Sequence, residues 1–289
     1  MPFSTGRLFG FTFIALLAFA ANSILCRLAL RVEEVAPLDF SLIRILSASL
    51  ILWLLLISKG AHRPKLILQH GSHKEALYLL VYILGFSYAY IGLNTATGAL
   101  ILFAAVQFTM LAASLMSGKR LSIIESSGIL ISFFGLCYFV YPELDNPSGL
   151  NLLFMVIAGI AWGLYSLVGS QSSSPLLDTS SNFIRLFPFA VAGLMAVLLW
   201  SNGPLTGLGI FYSIASGALA SGLGYALWYL VLPKLAKSVA AVCQLSVPVW
   251  AAIGGVLFVN EAITWHLVIS AGFILGGITL VLLSQMKPQ

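Results

Sequence analysis

Uninterrupted apolar runs of about membrane-spanning length recur from one end of the chain to the other. A helix of about 20 apolar residues crosses the hydrocarbon layer of a bilayer, which is about 30 Å thick. Ten such runs are separated by short polar breaks: residues 8–30, 37–58, 75–94, 97–117, 122–141, 149–169, 180–200, 206–231, 236–259 and 264–285. With 60% hydrophobic and only 8% charged residues, the chain lacks the polar side chains that a water-soluble surface requires. The sequence therefore predicts an all-α membrane protein with ten transmembrane helices.

The first apolar run has an alternative interpretation as a secretory signal, because Arg7 precedes it. The stretch from Leu8 to Leu25 is longer than the apolar part of a signal, and no small-x-small cleavage site leads into a soluble domain. We expect this run to be the first transmembrane helix.

The distribution of basic residues predicts the orientation of the chain, because Lys and Arg collect in cytoplasmic segments of membrane proteins. Of the 14 Lys and Arg residues, ten fall in breaks on the side of the N-terminus and two, Arg27 and Arg31, on the opposite side. Both termini are therefore expected in the cytoplasm, with the protein in the inner membrane. This asymmetry accounts for the net charge of +5, so no nucleic-acid partner is predicted.

The two halves of the sequence resemble each other. Arg44 lies over Arg185, Tyr88 over Tyr225 and Gln107 over Gln244 when the last five runs are laid on the first five. Because each half has an odd number of spans, the second half enters the membrane in the opposite orientation. The chain is predicted to consist of two inverted five-helix repeats, residues 1–145 and 146–289.

Arg44 and Arg185 are the two basic residues inside predicted spans. An arginine at the centre of a transmembrane helix costs about 2.5–3.5 kcal/mol, so each needs a compensating contact. The functional interpretation is an electrostatic gate or a contact with a substrate carboxylate. The favoured structural interpretation is that each side chain snorkels to lipid headgroups or caps backbone carbonyls.

Polar and aromatic side chains at similar depth in several spans suggest one central cavity. Gln107 and Gln244 bring amide groups into hydrocarbon at matching positions of the two halves, which favours a substrate site near the midplane. The candidate substrate-binding residues are Asn22, Tyr88, Gln107, Trp162, Tyr165, Tyr225 and Gln244. Tyr and Trp combine an apolar face with a hydrogen-bond donor, which suits amphipathic or aromatic metabolites. The alternative is ordinary core packing for the aromatic residues and helix-to-helix hydrogen bonds for the glutamines.

Motifs for catalysis or for metal binding are missing from the sequence, so no enzyme activity and no cofactor are predicted. His62, His70 and His73 share one basic loop, but their spacing matches no strong ligand pattern, and a solvated loop is the favoured interpretation. No acidic residue falls near the middle of a span. Proton-driven carriers commonly use a buried carboxylate, so we expect transport without a dedicated proton carrier.

Several strings, in order, give the chain a family likeness: Pro37-Leu-Asp-Phe-Ser-Leu-Ile-Arg44, Thr97-Gly-Ala-Leu-Ile-Leu-Phe-Ala-Ala-Val-Gln107, Trp162-Gly-Leu-Tyr165-Ser166, Gln244-Leu-Ser-Val-Pro248 and Glu261-Ala-Ile-Thr264. With ten spans in two inverted halves, the chain resembles the EamA-type transporters of the drug/metabolite transporter superfamily. The resemblance implies a central cavity among spans three, four, eight and nine, and movement of amino acids or related metabolites. The sequence departs from the pattern at Phe19-Ala20, where Trp-Gly is frequent, and at Lys119, where Glu is usual.

The resulting functional prediction is a transporter that moves a small organic metabolite, an amino acid or a related amphipathic solute, by alternating access. A facilitative channel or uniporter and, less favoured, a membrane enzyme or accessory subunit are the alternatives. The predicted partners are a small-molecule substrate and the lipid bilayer, with the protein a monomer or a homodimer.

Overall fold

A computed structural model describes residues 5–61, 64–116, 122–140, 149–200, 205–235 and 243–286. Within these ranges all regular secondary structure is helical and no strand occurs. The helices are α1 (Thr5–Arg27), α2 (Pro37–Ser58), α3 (Pro64–Gln69), α4 (His73–Ala89), α5 (Thr95–Met116), α6 (Ile123–Val140), α7 (Gly149–Gly169), α8 (Pro175–Trp200), α9 (Gly207–Ala215), α10 (Gly224–Val231), α11 (Val247–Val259) and α12 (Trp265–Met286). The prediction of an all-α membrane protein is confirmed.

Two π-helical segments interrupt the regular α-helices. Leu28–Val32 prolongs α1, and Ser216–Leu223 joins α9 to α10 in one continuous rod. If this rod is counted once and the short α3 is set aside, the described ranges contain ten helices, which overlap the ten predicted apolar runs. Within the described residues, six helical segments are long and apolar enough to cross a membrane: Gly6–Val32, Pro37–Ser58, Thr95–Ala113, Gly149–Gly169, Pro175–Trp200 and Gly207–Lys234.

Local sequence fixes several helix starts. Pro37 and Pro175 occupy the first position of their helices, where no backbone N–H is needed. Before α4, the Ser72 hydroxyl accepts the Glu75 amide at 3.1 Å, and it donates to the Glu75 carboxylate at 2.9 Å. Before α6, the Glu125 amide donates to the Ser122 hydroxyl at 3.2 Å, and the Ser122 amide donates to the Glu125 carboxylate at 2.6 Å. Each Ser-x-x-Glu string thus satisfies backbone donors that the first turn leaves free.

Glycines set the closest helix contacts. A Cβ on Gly159 of α7 would lie 2.6 Å from the Leu102 carbonyl of α5, and one on Gly128 of α6 would lie 2.5 Å from the Gly277 carbonyl of α12. Small residues therefore let these backbones approach closely. A Cβ on Gly272 or Gly276, by contrast, would meet no described atom within 4 Å.

The outward faces of the helices are apolar, as lipid contact requires. Phe134, Phe189 and Leu257 are each more than 60% exposed. Trp200 and Trp265 are also largely exposed and lie at helix ends, where the amphipathic indole suits the membrane interface.

Candidate functional site

A fully buried arginine lies at the centre of the helix bundle. Arg44 of α2 is 0% exposed, so the predicted snorkelling to headgroups is wrong for this residue. Its Nε donates to the Ser221 hydroxyl at 2.9 Å, and its Nη2 donates to the Tyr225 and Tyr82 hydroxyls at 2.9 and 3.3 Å. The guanidinium carbon lies 5.0 Å from the ring centre of Phe86. Arg44 therefore joins α2, α4, the π-helical segment and α10 through side chains rather than by capping carbonyls.

None of these contacts supplies a negative charge. The two ion pairs found in the described part of the chain, Arg27 with Glu261 and His70 with Asp178, both involve other residues. The Nη1 atom of Arg44 has no hydrogen-bond partner among the described residues. A guanidinium is always protonated in proteins. Arg44 is thus a buried cation whose charge is met only by hydroxyl dipoles and aromatic faces.

The π-helical segment Ser216–Leu223 shapes this region, because its wider turn redirects side chains that a regular α-helix would place elsewhere. The Asn22 carbonyl of α1 accepts the hydroxyls of Ser216 and Ser221 at 2.8 and 3.3 Å. The Asn22 amide lies 3.5 Å from the Tyr225 hydroxyl. A Cβ on Gly217 would lie 2.3 Å from the Arg44 carbonyl, so glycine is required where the rod crosses α2.

Aromatic rings form a layer beside Arg44. The ring centre of Trp162 lies 4.7 Å from Tyr225 and 4.9 Å from Tyr82. Phe19 and Tyr165 each lie 5.7 Å from the same indole. We call Arg44, Asn22, Tyr82, Phe86, Trp162, Ser221 and Tyr225 the central cluster. It brings together four of the residues predicted from sequence, namely Asn22, Arg44, Trp162 and Tyr225.

A cavity of about 250 Å³ opens at one end of the bundle. Its lining comes from α4, α7, α8, α10 and the turn after α7, and includes Glu75, Tyr165, Asp178, Asn182 and Tyr229. The Asn182 amide donates to the Glu75 carboxylate at 3.0 Å and to the Tyr165 hydroxyl at 3.4 Å. Tyr165, one turn along α7 from Trp162, lies in the wall of the cavity and beside the central cluster. We call this end of the bundle the His70 end, after His70 beside the cavity.

Arg185 of α8 contacts His70 at the same end of the bundle. Its Nη1 donates to the His70 carbonyl at 3.2 Å and also contacts the Ser181 hydroxyl, so it caps a carbonyl as the structural interpretation predicts. His70 pairs with Asp178 at 3.0 Å and is about one quarter exposed, so this histidine is more enclosed than a solvated loop would make it. Within the described ranges, no three His, Cys, Asp or Glu side chains are grouped so that they could hold a metal ion.

A nearly buried ion pair lies at the opposite end of the bundle. Arg27 Nε lies 2.9 Å from the Glu261 carboxylate, and the two side chains are only 7% and 10% exposed. Glu261 also accepts the Thr95 amide at 2.7 Å, and Arg27 donates to the Tyr90 carbonyl at 2.9 Å. The pair thus ties the end of α1 to the link before α5 and to the link between α11 and α12. We call Arg27, Tyr90, Thr95 and Glu261 the Arg27 latch.

The remaining predicted site residues have different surroundings. Gln107 and Gln244 are 6% and 1% exposed, which places them inside the bundle. The Gln244 side-chain oxygen has no hydrogen-bond partner in the described part of the chain. Tyr88 is half-buried and packs against Phe154 of α7, with ring centres 5.8 Å apart. Tyr82 contacts Arg44 instead. It lies six positions before Tyr88, which rotates the two side chains by about 240° relative to each other around the helix.

Comparisons with known proteins agree with the membrane architecture. Residues 149–283 match the model of the EamA-like transporter family. The chain is 41% identical over 275 residues to the uncharacterized protein PA1977 of Pseudomonas aeruginosa, covering 95% of this chain and 94% of that protein. It is 21% identical over 259 residues to the uncharacterized transporter YoaV of Bacillus subtilis, covering 86% of this chain and 87% of that protein. The match to one solved crystal structure covers 99% of this chain and 100% of the chain in that structure, with a TM-score of 0.69 and 16% sequence identity. At this identity the match shows a similar fold and nothing more.

Proposed function

The chain belongs to the EamA-like transporter family of the drug/metabolite transporter superfamily, and from this premise we propose that it carries a small organic metabolite across the inner membrane by alternating access. The substrate class we favour is an amino acid or a related amphipathic solute. The proposal extends to an arrangement of ten transmembrane helices in two inverted repeats, residues 1–145 and 146–289. The family match over residues 149–283 supports this division, because it begins and ends inside the second repeat.

The difference between the two ends of the bundle is the observation that carries the proposal. The Arg27 latch closes one end with an ion pair that is nearly buried. A cavity of about 250 Å³ opens at the other. A carrier that works by alternating access must close one side of a central site while the other is open. The central cluster lies between the two, so the arrangement suits a carrier with its cytoplasmic side open.

The orientation follows from the charge distribution. The His70 end lies beside the loop that holds Lys59, Arg63, Lys65 and Lys74, which the positive-inside rule assigns to the cytoplasm. The Arg27 end then faces the outside of the cell, and both termini are cytoplasmic. The candidate substrate-binding residues remain Asn22, Tyr88, Gln107, Trp162, Tyr165, Tyr225 and Gln244, with Arg44 and Arg185 as electrostatic residues. Among these, the central cluster and Tyr165 have the strongest geometric support.

The proposal is tested by counterflow in proteoliposomes. Solutes are first screened for thermal stabilisation of the purified protein, since a ligand of the folded state raises its apparent stability. For a stabilising solute, vesicles preloaded with the unlabelled compound should accumulate the labelled one transiently, because each return of the carrier brings labelled solute inward. Liposomes without protein are the control. Uptake that preloading does not accelerate would identify a channel. Conversion of the solute by detergent-solubilised protein would identify an enzyme.

A further inference from the structure

The buried cation at Arg44 is the feature of the central cluster that the contacts of the described chain do not explain. Buried charges in proteins are normally paired with an opposite charge, because desolvation strongly disfavours an isolated ion. Arg27 follows this rule through Glu261. Arg44 is more deeply buried than Arg27, yet its described hydrogen bonds go to three neutral hydroxyls.

A purely structural role does not require this arrangement. A neutral amide at position 44 would provide two N–H donors for these hydroxyls without the desolvation penalty of a charge. The side chain also keeps Nη1 without a partner among the described residues. Unpaired ionisable groups inside transmembrane bundles typically mark substrate or ion pathways.

From these observations we infer that Arg44 binds the carboxylate of the transported solute, so that the substrate class is organic anions and zwitterions with an apolar or aromatic body. This inference rests on the proposed function. The carboxylate occupies the side of the guanidinium at Nη1, where charge-assisted hydrogen bonds form. The hydroxyls of Tyr82 and Tyr225 hold the rest of the guanidinium in place.

The surroundings of Arg44 specify the rest of the ligand. The ring centre of Trp162 lies 4.9 Å from that of Tyr82 and 4.7 Å from that of Tyr225, and the Tyr82 and Tyr225 ring centres lie 6.5 Å apart. Such rings can stack on a planar or apolar group of the ligand, but they provide no negative charge for a cationic group. Tyr165 in the cavity wall and Trp162 one turn above it mark the route by which the solute reaches Arg44 from the His70 end. A bare cation or an amine without a carboxylate finds no counter-charge at Arg44.

The test compares acids with their own carboxamides. Purified protein is heated with aromatic and aliphatic monocarboxylates, amino acids among them, and with the matching amide of each. Each compound is used at about 10 mM, roughly ten times the upper range of typical KM values. We expect saturable stabilisation by at least one acid, with its amide binding about 10-fold more weakly or worse, since a hydrogen bond to a charged group is lost. Equal stabilisation by acid and amide, or stabilisation by amides and amines alone, would overturn the inference. So would the absence of stabilisation by every acid.

Variants separate Arg44 from general charge effects. Arg44→Gln should lose the preference for the acid, whereas Arg44→Lys should keep a weaker preference because the charge remains. Arg31→Gln is the matched control: it removes the same charge from an exposed residue and should keep the wild-type preference. If Arg44→Gln does not fold, the acid and amide comparison on the wild-type protein still decides the question. Counterflow of a neutral or cationic solute with no acid preference would refute the role of Arg44 and leave the proposed transport function standing.

Discussion

Replacing Glu261 with Gln should loosen the closed end of the bundle. The Glu261 carboxylate accepts hydrogen bonds from Arg27 Nε at 2.9 Å and from the Thr95 amide at 2.7 Å. The Gln amide retains one oxygen, so at most one of these two contacts survives, and the Arg27 charge loses its counter-ion. A hydrogen bond to a charged group is worth about 1.5–3 kcal/mol. We therefore expect the equilibrium to shift about 10- to 150-fold toward the form in which the latch is open.

Cys26 provides a native reporter for this opening. It precedes Arg27 in α1 and is 0% exposed, so a maleimide reaches it only when the Arg27 end opens. With Cys137→Ala and Cys243→Ala removing the other two cysteines, the alkylation rate of the purified protein measures the open population. Glu261→Gln should raise the alkylation rate by about 10- to 150-fold, up to the limit at which the Arg27 end is open in every molecule.

Two controls make the outcome specific. Glu34→Gln removes an exposed carboxylate at the same end of the bundle and should leave the alkylation rate unchanged. The double variant Arg27→Gln with Glu261→Gln should show less than the sum of the single effects, because the two side chains act as one pair. A wild-type rate in folded Glu261→Gln protein would refute the idea that this ion pair holds the end closed.

Three further predictions concern topology, the glutamines and energy coupling. Cysteine or reporter tagging should place the loop 60–74 and both termini in the cytoplasm, and a signal from the opposite side would overturn the orientation. Gln107→Ala and Gln244→Ala should each reduce the transport rate more than they reduce the yield of folded protein, which is measured by size-exclusion recovery. Equal losses of transport and of folded protein would show that the two glutamines have a structural role. An imposed pH gradient should not drive uphill accumulation of a solute whose charge is constant over the pH range. If accumulation occurs, the residue to test is Asp39, by the variant Asp39→Asn. Asp39 is 2% exposed, and its Oδ2 has no hydrogen-bond partner among the described residues.

The apolar runs and the polar breaks between them were enough to predict the helical architecture. Apolar runs and polar breaks carry that information locally, because a segment in hydrocarbon must satisfy its own backbone hydrogen bonds. Most helix ends fell within a few residues of the predicted limits, as at α2 and α7. The short α3 in the loop and the π-helical turns were not predicted, since neither changes the apolar pattern.

The site was predictable in composition and less so in geometry. Asn22, Trp162 and Tyr225 could be chosen as polar or aromatic residues at similar depth, and they do meet. Choosing Tyr82 rather than Tyr88 would have required knowing which face of α4 turns toward α2, and a helix that is apolar on all sides does not reveal this. The same limit hid the burial of Asp39. The Arg27 latch was missed because its partners are 234 residues apart in sequence.

The closure of one end alone has a consequence for the kinetics of the empty carrier. In the proposed orientation, an ion pair that keeps the proposed binding site turned toward the cytoplasm lowers the solute concentration needed for half-saturation from inside and raises it from outside. For an uncoupled carrier, however, the ratio of maximal rate to half-saturation must be equal in both directions, because net flow vanishes when the two concentrations match. The protein should therefore be a slow exporter that saturates early and a fast importer that saturates late. The direction of net transport in the cell would then be set by the electrochemical gradient of the solute alone.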